Sequence, residues 1–239
     1  MKHAGKLALL VAIVGVLAST LILFGARLGI WEPLTGFGLY RTYFNSIAMI
    51  VAAVGLLAVL IHFVRREKSG AAMGTVAAVV GVICLVPMIQ STLNPLVRGA
   101  PINDVTTDTA NPPEFLILDD TRAGAKTSLV YAGPKVAQTQ ARVHPDIAPL
   151  ETDLPAQEAF ARALELASDL GWEIVGSDAE ALRFEATVRT SVFYFADDAV
   201  VVVTSTENGS RVDMRSVSRV GRSDQGVNAA RIHNFQQQF

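Results

Sequence analysis

The residues best suited to chemistry lie near the C-terminus, where arginines precede a short helical pattern. Arg215, Arg219 and Arg222 are separated by four and three positions, and Asn228 and Arg231 follow on the predicted helix. Guanidinium groups bind carboxylate and phosphate oxygens, and the free amides at a helix N-terminus attract the same kind of group. This combination predicts a site for an anion or for a partner, to which all five residues contribute.

The same arginines could instead be neutralised within the protein. Asp197 and Asp198 precede a β-branched strand, and Asp224 stands at the start of the final helix. Buried opposite charges can fix one arrangement of neighbouring elements. A structural network of these aspartates with Ser216 and Ser218 is therefore the alternative to a binding site, and the sequence leaves both open.

Catalysis has weaker support. Adjacent residues of a strand point to opposite faces of a sheet, so Asp197 and Asp198 are badly placed to share one acid/base reaction. The sequence indicates no histidine positioned to activate Ser216 or Ser218 as a nucleophile. It also has no His/Cys cluster with the spacing of a zinc site and no Gly-rich phosphate-binding loop after a strand. We expect no cofactor, no metal and no catalytic residue. The alternative is a hydrolase or transferase that acts on an anionic envelope substrate through one of the two aspartates, with arginines as clamps.

These residues also carry a resemblance. The stretch 215–231 is similar to a motif of the domain-of-unknown-function family 1499, in its bacterial, membrane-anchored form, and segments 101–108, 111–115 and 144–150 share the similarity. The resemblance implies a family and a topology, but no activity. It extends to these positions: Asp197, Asp198, Arg215, Ser216, Ser218, Arg219, Gly221, Asp224, Gly226, Asn228 and Arg231.

The elements that must position these residues form an α+β pattern. Apolar residues recur at helical spacing after Asp153, a candidate N-cap, and a last helix follows Asp224. Connections of hairpin length, including Asn208-Gly209, favour a two-layer domain with an antiparallel sheet of about four strands and helices mainly on one face. The four strands are predicted near 172–175, 182–188, 199–206 and 211–220, with a turn at 176–178.

The last predicted strand has two different faces. A period of two places Arg211, Arg215 and Arg219 on one side of the strand, and residues such as Val212 and Met214 on the other. We expect the arginine side to be too charged for a core. It would then be a surface on which a partner could bind.

The N-terminal part predicts three membrane-spanning helices. Uncharged runs at about 7–26, 44–64 and 71–93 are each long enough to cross a hydrocarbon core of about 30 Å. Lys2 and Lys6 before the first run could belong to a secretory signal peptide. The length of the run, and the bulky Phe24 where a cleavage site would need a small residue, favour an uncleaved anchor. A short aromatic loop over residues 27–41 is expected at the membrane surface.

Charge divides the chain at the same place. Up to Val97 there are seven Lys/Arg and two Asp/Glu, whereas the rest of the chain carries thirteen Lys/Arg and twenty Asp/Glu. The acidic balance of the second part argues against nucleic-acid binding. The basic residues concentrate at one side of the predicted helices, which predicts a cytoplasmic N-terminus and a C-terminal domain on the other side of the membrane. Together with the resemblance to the bacterial family, this orientation implies an inner-membrane protein with a periplasmic C-terminal domain.

The expected organisation is a helical region at 1–96, an extended Pro-rich tether at 97–114 and a periplasmic α+β domain at 115–239. A charged surface without a recognisable group of catalytic residues predicts an accessory subunit. This subunit would bind or brace another envelope or membrane-complex component. Its expected partners are the lipid bilayer and another membrane or periplasmic protein, or an anionic ligand or lipid.

Overall fold

The computed structural model describes residues 3–66, 68–93 and 100–239, without the side chain of Ser69. Two compact units make up the chain: residues 1–97 with 191–194, and residues 98–190 with 195–239. Lys2 and the start of the predicted tether lie outside the described residues.

The first unit is helical. Three helical stretches in the described part of the chain are long and apolar enough to cross a membrane, which confirms the predicted three-helix region. The second stretch begins at Pro33, so the latter part of the loop predicted at 27–41 is helical rather than irregular. The elements are α1 (Ala4–Phe24), α2 (Pro33–Leu39), a π-helical segment (Tyr40–Phe44), α3 (Asn45–Arg65) and α4 (Lys68–Leu93).

Glycines allow α3 and α4 to pack closely. A Cβ atom added to Gly55 would lie 2.3 Å from the backbone nitrogen of Ala78, and one added to Gly81 would lie 2.3 Å from that of Ala52. Real Cβ atoms do not approach other atoms so closely, so a larger residue would push the helices apart. Close backbone packing of this kind is typical of helices in membranes.

The second unit contains a six-stranded antiparallel sheet with the order β1-β6-β5-β4-β3, and β2 also pairs with β6. This arrangement confirms the α+β class but corrects the strand number from about four to six. The two additional strands have three residues each. One lies in the predicted Pro-rich tether, and the other lies at 150–152, where no strand was predicted. The strands are β1 (Asp104–Thr106), β2 (Leu150–Thr152), β3 (Glu173–Asp178), β4 (Arg183–Arg189), β5 (Ala196–Thr206) and β6 (Gly209–Ser218), and the helices are α5 (Pro134–Val143), α6 (Ala156–Asp169) and α7 (Val227–Gln238).

One face of the sheet is apolar. The register pairs Val201 of β5 with Met214 of β6, and both side chains are buried with Phe184 of β4. Helices α6 and α7 contribute Phe160 and Phe235 to the same hydrophobic core. This layer contains the main apolar core of the domain.

The opposite face of the sheet is charged, and it is also buried. Arg215 and Arg219 are only 1% and 8% exposed, which corrects the expectation that their side of β6 would be a surface. Residues 107–131, here called the covering segment, lie over this face and contain neither helix nor strand. The charges can be buried because the covering segment supplies carbonyl groups and counter-charges to them.

Two local predictions were also wrong. The expected turn at 176–178 belongs to β3. The chain turns after Asp178, whose carboxylate accepts hydrogen bonds from the amides of Glu180 and Ala181. Asp153 does not cap α6, because that position is taken by Pro155. The Asn208-Gly209 hairpin is confirmed by the pairing of Thr206 with Gly209.

Candidate functional site

Arg215 is the most completely buried arginine of the charged face. Its Nε and Nη2 atoms donate to the two carboxylate oxygens of Asp104, at 2.9 and 2.7 Å. Its remaining donors reach the backbone oxygens of Pro113 and Leu129, at 3.2 and 2.8 Å. The Tyr131 ring stacks on the guanidinium at 5.2 Å, within the range of a cation–π contact. This side chain therefore joins β1, β6 and two parts of the covering segment.

Asp198 lies at the centre of a second cluster on the same face. Arg219 donates to its carboxylate from Nε at 3.1 Å and from Nη2 at 2.7 Å, and Arg122 of the covering segment donates to it from Nε. Thr187 of β4 donates to Asp198 at 3.1 Å and accepts from Arg219 at 2.7 Å. Arg219 also reaches the backbone oxygen of Ala123 at 2.9 Å. One carboxylate thus pairs with two guanidinium groups, and Arg122 also lies 3.4 Å from the carboxylate of Asp120.

Glu185 of β4 fixes a third part of the covering segment. Its side chain is fully buried, and its carboxylate accepts hydrogen bonds from the backbone amides of Leu116, Ile117 and Leu118. Hydrogen bonds to a charged acceptor are stronger than those between neutral groups. The carboxylate therefore holds three consecutive residues of an irregular segment against the sheet.

A separate polar cluster lies on the helical side of the sheet. Arg231 of α7 donates to Asp197 of β5 at 2.6 Å and to the hydroxyl oxygen of Ser216 at 2.7 Å. Asn228 is fully buried, accepts from Ser216 at 2.8 Å and donates to the hydroxyl oxygen of Ser218 at 3.0 Å. These contacts attach α7 to β5 and β6.

The N-terminus of α7 is occupied by a side chain of the protein. Asp224 accepts hydrogen bonds from the amides of Gly226, at 2.9 Å, and Asn228, at 2.8 Å. Its carboxylate thus takes the place that an anionic ligand would have at this helix end. Arg222 is exposed.

Burial perturbs two of the paired carboxyl groups. It raises the pKa of Asp104 above its ordinary value, because the desolvation of the charge outweighs the bonds from Arg215. The same cause raises the pKa of Asp197 against the opposing effects of Arg231 and Ser218. Burial thus disfavours the charged form of each carboxyl group, and the arginine partner opposes that effect.

The structure separates the sequence-predicted residues instead of gathering them at one place. Arg215 and Arg219 belong to the charged face, Asn228 and Arg231 to the helical side, and Arg222 to the exterior. Asp197 and Asp198 lie on opposite faces of β5, as the period of two predicted, and Asp224 pairs with amides instead of an arginine. A binding role for the five candidate residues stays a prediction.

Sequence reasoning missed three residues that complete the charged face: Asp104, Arg122 and Glu185. Glu185 had a signal, because Arg183, Glu185 and Thr187 alternate with apolar residues along β4 and mark a polar face. Asp104 lies in segment 101–108, which shares the family resemblance, but without periodicity that segment did not indicate a partner for Arg215. Arg122 had no signal.

Comparison with known proteins places the chain in a family. Residues 104–239, more than half of the chain, match the family described as Protein of unknown function (DUF1499). The chain belongs to this family. The match begins at β1 and ends after α7, so the DUF1499 domain includes the whole sheet, the covering segment and both polar clusters. No curated protein sequence matches the chain.

The covering segment of the DUF1499 domain leaves a cleft open beside Arg215. The cleft has a volume of about 870 Å³, and its apolar walls include Phe115, Leu129 and Tyr131. Val130 also lines it and is 77% exposed. The hydroxyl group of Tyr131 is buried and has no hydrogen-bond partner among the described residues.

The rest of the cleft is acidic. Glu114, Asp119 and Asp120 line it, whereas the lining arginine, Arg215, is already paired with Asp104. Hydrogen bonds from Thr121 lower the pKa of Asp119 below its ordinary value. The backbone amide of Leu129, and then the hydroxyl of Ser128, do the same for the pKa of Asp120. Both carboxyl groups are therefore ionised at neutral pH.

Proposed function

We propose that this protein is a membrane-anchored accessory module that binds another component of the bacterial envelope or of a membrane complex. In this proposal the DUF1499 domain lies in the periplasm, on the outer side of the inner membrane. The observation that carries the proposal is the covering segment. It is irregular, it is bonded to the buried charged face of the sheet, and it exposes large apolar side chains on its outer side.

The inner side of the covering segment is held by charged groups. Arg215, Asp198 and Glu185 each bond to it, and each is almost completely buried. Burying such groups costs several kcal/mol of desolvation, of order 3–5 kcal/mol when a partner is missing. A loop that only closed the domain would not require this arrangement. The contacts instead fix the conformation of the segment before any partner arrives, which reduces the entropy cost of binding.

The outer side of the covering segment exposes large apolar side chains. Leu116 is 66% exposed and Val130 is 77% exposed. Single exposed apolar residues are ordinary on protein surfaces. Here, however, Val130 lines the cleft, and Leu116 is joined through its amide to Glu185 in the sheet. A rigid irregular segment with apolar groups is a typical binding surface.

The geometry favours binding over the hydrolase or transferase alternative. That alternative requires Asp197 or Asp198 to face a substrate, with arginines as clamps. Each aspartate is at least 97% buried and already accepts hydrogen bonds from arginine, Asp197 from Arg231 and Asp198 from Arg219. The cleft is lined by neither of them.

Photo-crosslinking in cells tests the binding role. A photoreactive amino acid replaces Val130 in the full chain, and the matched control replaces Glu165, an exposed residue of α6 on the other side of the sheet. We expect one defined protein adduct from position 130, none from position 165, and loss of the adduct when Leu116→Asp is added. Equal labelling from both positions, or none from position 130, would contradict the proposal.

Reporter fusions test the proposed location separately. A reporter that is active only in the periplasm should be active after Phe239 and inactive after Lys68. The reverse pattern would place the DUF1499 domain in the cytoplasm and change the class of possible partners.

A further inference from the structure

We infer that the cleft binds a protein segment that inserts an aliphatic or aromatic side chain and places a lysine or arginine against the acidic rim. This inference rests on the proposed binding function and names the chemistry of the partner. It is carried by the walls of the cleft, by the charge of its rim and by the pairing of Arg215.

The walls of the cleft suit an apolar side chain. Two aromatic residues of the covering segment, Phe115 and Tyr131, line the cleft. Leu118, Leu129 and Val130 add aliphatic surface to its walls. A volume of about 870 Å³ lies within the range of roughly 300–1,000 Å³ typical of ligand sites. Such a volume admits one or two large side chains of a bound segment. Apolar walls with a few placed polar groups are the usual composition of such sites.

The charge of the rim excludes one class of ligand and favours another. Glu114 is exposed, and Asp119 and Asp120 are also accessible, so three carboxylates face the approach to the cleft. Arg215 does not offset them for a ligand, because Asp104 already neutralises it. Arg122 lies 3.4 Å from Asp120 and offsets that carboxylate in part, but Arg122 also pairs with Asp198. An anionic group would meet net repulsion at this rim, whereas a lysine or arginine would be attracted.

Lipids fit this chemistry less well than a protein segment does. Anionic headgroups are repelled by the three carboxylates of the rim. A protein segment can instead present an apolar side chain to the walls and a basic side chain to the rim at the same time. The combination of apolar walls and an acidic rim therefore points to a basic and apolar segment of a protein.

Peptide selection tests this inference directly. Full chain in detergent micelles is used to select binders from a displayed library of random twelve-residue peptides, and the enriched peptides are synthesised with a fluorescent label. We expect them to carry an aliphatic or aromatic residue close to a lysine or arginine. Their affinity should fall with added salt, since the charge contact is exposed and therefore screened.

A matched pair of charge reversals links the selected peptides to the cleft. Glu114→Lys changes an exposed rim residue, and Glu165→Lys makes the same change on α6, away from the cleft. We expect Glu114→Lys to weaken peptide binding about tenfold, through like-charge repulsion, and Glu165→Lys to leave it unchanged. Circular dichroism of both variants should match the unmodified protein.

Three outcomes would overturn the inference. The first is enrichment of acidic peptides or of peptides without basic residues. The second is an equal effect of Glu114→Lys and Glu165→Lys. The third is displacement of the peptides by phosphatidylethanolamine vesicles, which would assign the cleft to lipid. If position 130 still crosslinks to a protein in cells, the binding function stands and only the chemistry of the ligand is wrong; if it does not, both fail.

Discussion

The two faces of the sheet in the DUF1499 domain are built from the same strands but are buried by different means. In β6, Met214 points to the helices and packs in the hydrophobic core, whereas Arg215, the next residue, points to the covering segment and bonds to Asp104. Both side chains are about 1% exposed. One is buried because it is apolar, and the other because its charge and donors are satisfied.

The difference between the faces concerns specificity. Hydrophobic burial is roughly proportional to area and has no direction, so an apolar face accepts several packings of similar volume. Buried charges need partners at defined distances and angles, and a missing partner leaves a large desolvation cost. The charged face can therefore dictate one conformation to a segment that has no regular structure, which the apolar face could not do.

The largest expected effect comes from Asp198→Ala. This change leaves Arg122 and Arg219 without their shared carboxylate, and it also removes an acceptor from Thr187. We expect the free energy of unfolding to fall by about 3–5 kcal/mol, the usual cost of breaking a buried ion pair. Residues 101–239 have their own hydrophobic core and can be measured alone by urea denaturation. A loss below about 1 kcal/mol, the value for surface pairs, would show that the charged face is solvated.

A smaller effect is expected from Glu185→Gln. The amide keeps the size of the side chain but weakens the hydrogen bonds from the amides of Leu116, Ile117 and Leu118. We expect a loss of about 1.5–3 kcal/mol, as for hydrogen bonds to charged groups. Hydrogen exchange should become faster at residues 116–118 and remain unchanged in α6. Uniformly faster exchange would indicate global destabilisation instead of local release of the covering segment.

Met214→Leu tests the tolerance of the apolar face. The residue is 1% exposed, and its neighbours in the core are apolar. Volume-conserving changes between hydrophobic residues usually cost less than about 1.5 kcal/mol, so we expect a loss within that limit. A loss as large as that of Asp198→Ala would remove the proposed difference between the two faces.

The smallest effect on stability is expected from Leu116→Asp. Its side chain is 66% exposed, and the bond to Glu185 uses only its backbone amide. Surface substitutions of this kind usually change stability by less than about 0.5 kcal/mol. Partner crosslinking from position 130 should nevertheless be lost. Loss of crosslinking together with a strong loss of stability would make the variant uninformative about the surface, and Leu116→Gln, which is similar in size and uncharged, would then decide.

The sequence predicted those helices and strands in which apolar and polar residues repeat with a regular period. The apolar runs that form the three long helices, the apolar stripe of α6 and the alternation in β6 each repeat with the period of their own structure. The opposite directions of Asp197 and Asp198 followed from the same period of two. These features depend on neighbours along the chain, so a single sequence contains them.

The partners of the charged residues could not be predicted in the same way. Arg215 bonds to Asp104, more than a hundred residues earlier, and Asp198 bonds to Arg122 of the covering segment. Neither partner lies in a periodic segment, so nothing local indicates which carboxylate meets which guanidinium. The burial of the charged face was missed for the same reason. Residues up to 114 were predicted as an extended tether, and the rest of the covering segment has no periodic pattern that would place it over the sheet.

The central claim is that Arg215 and Arg219 hold the covering segment and do not await an anion. Arg215→Met in residues 101–239, measured by thermal unfolding with and without inorganic phosphate, tests it most directly. Because Asp104 would lose its guanidinium partner, the account predicts a loss of about 3–5 kcal/mol in both conditions. Unchanged or increased stability, together with the loss of a phosphate-dependent stabilisation seen in the unmodified domain, would contradict it.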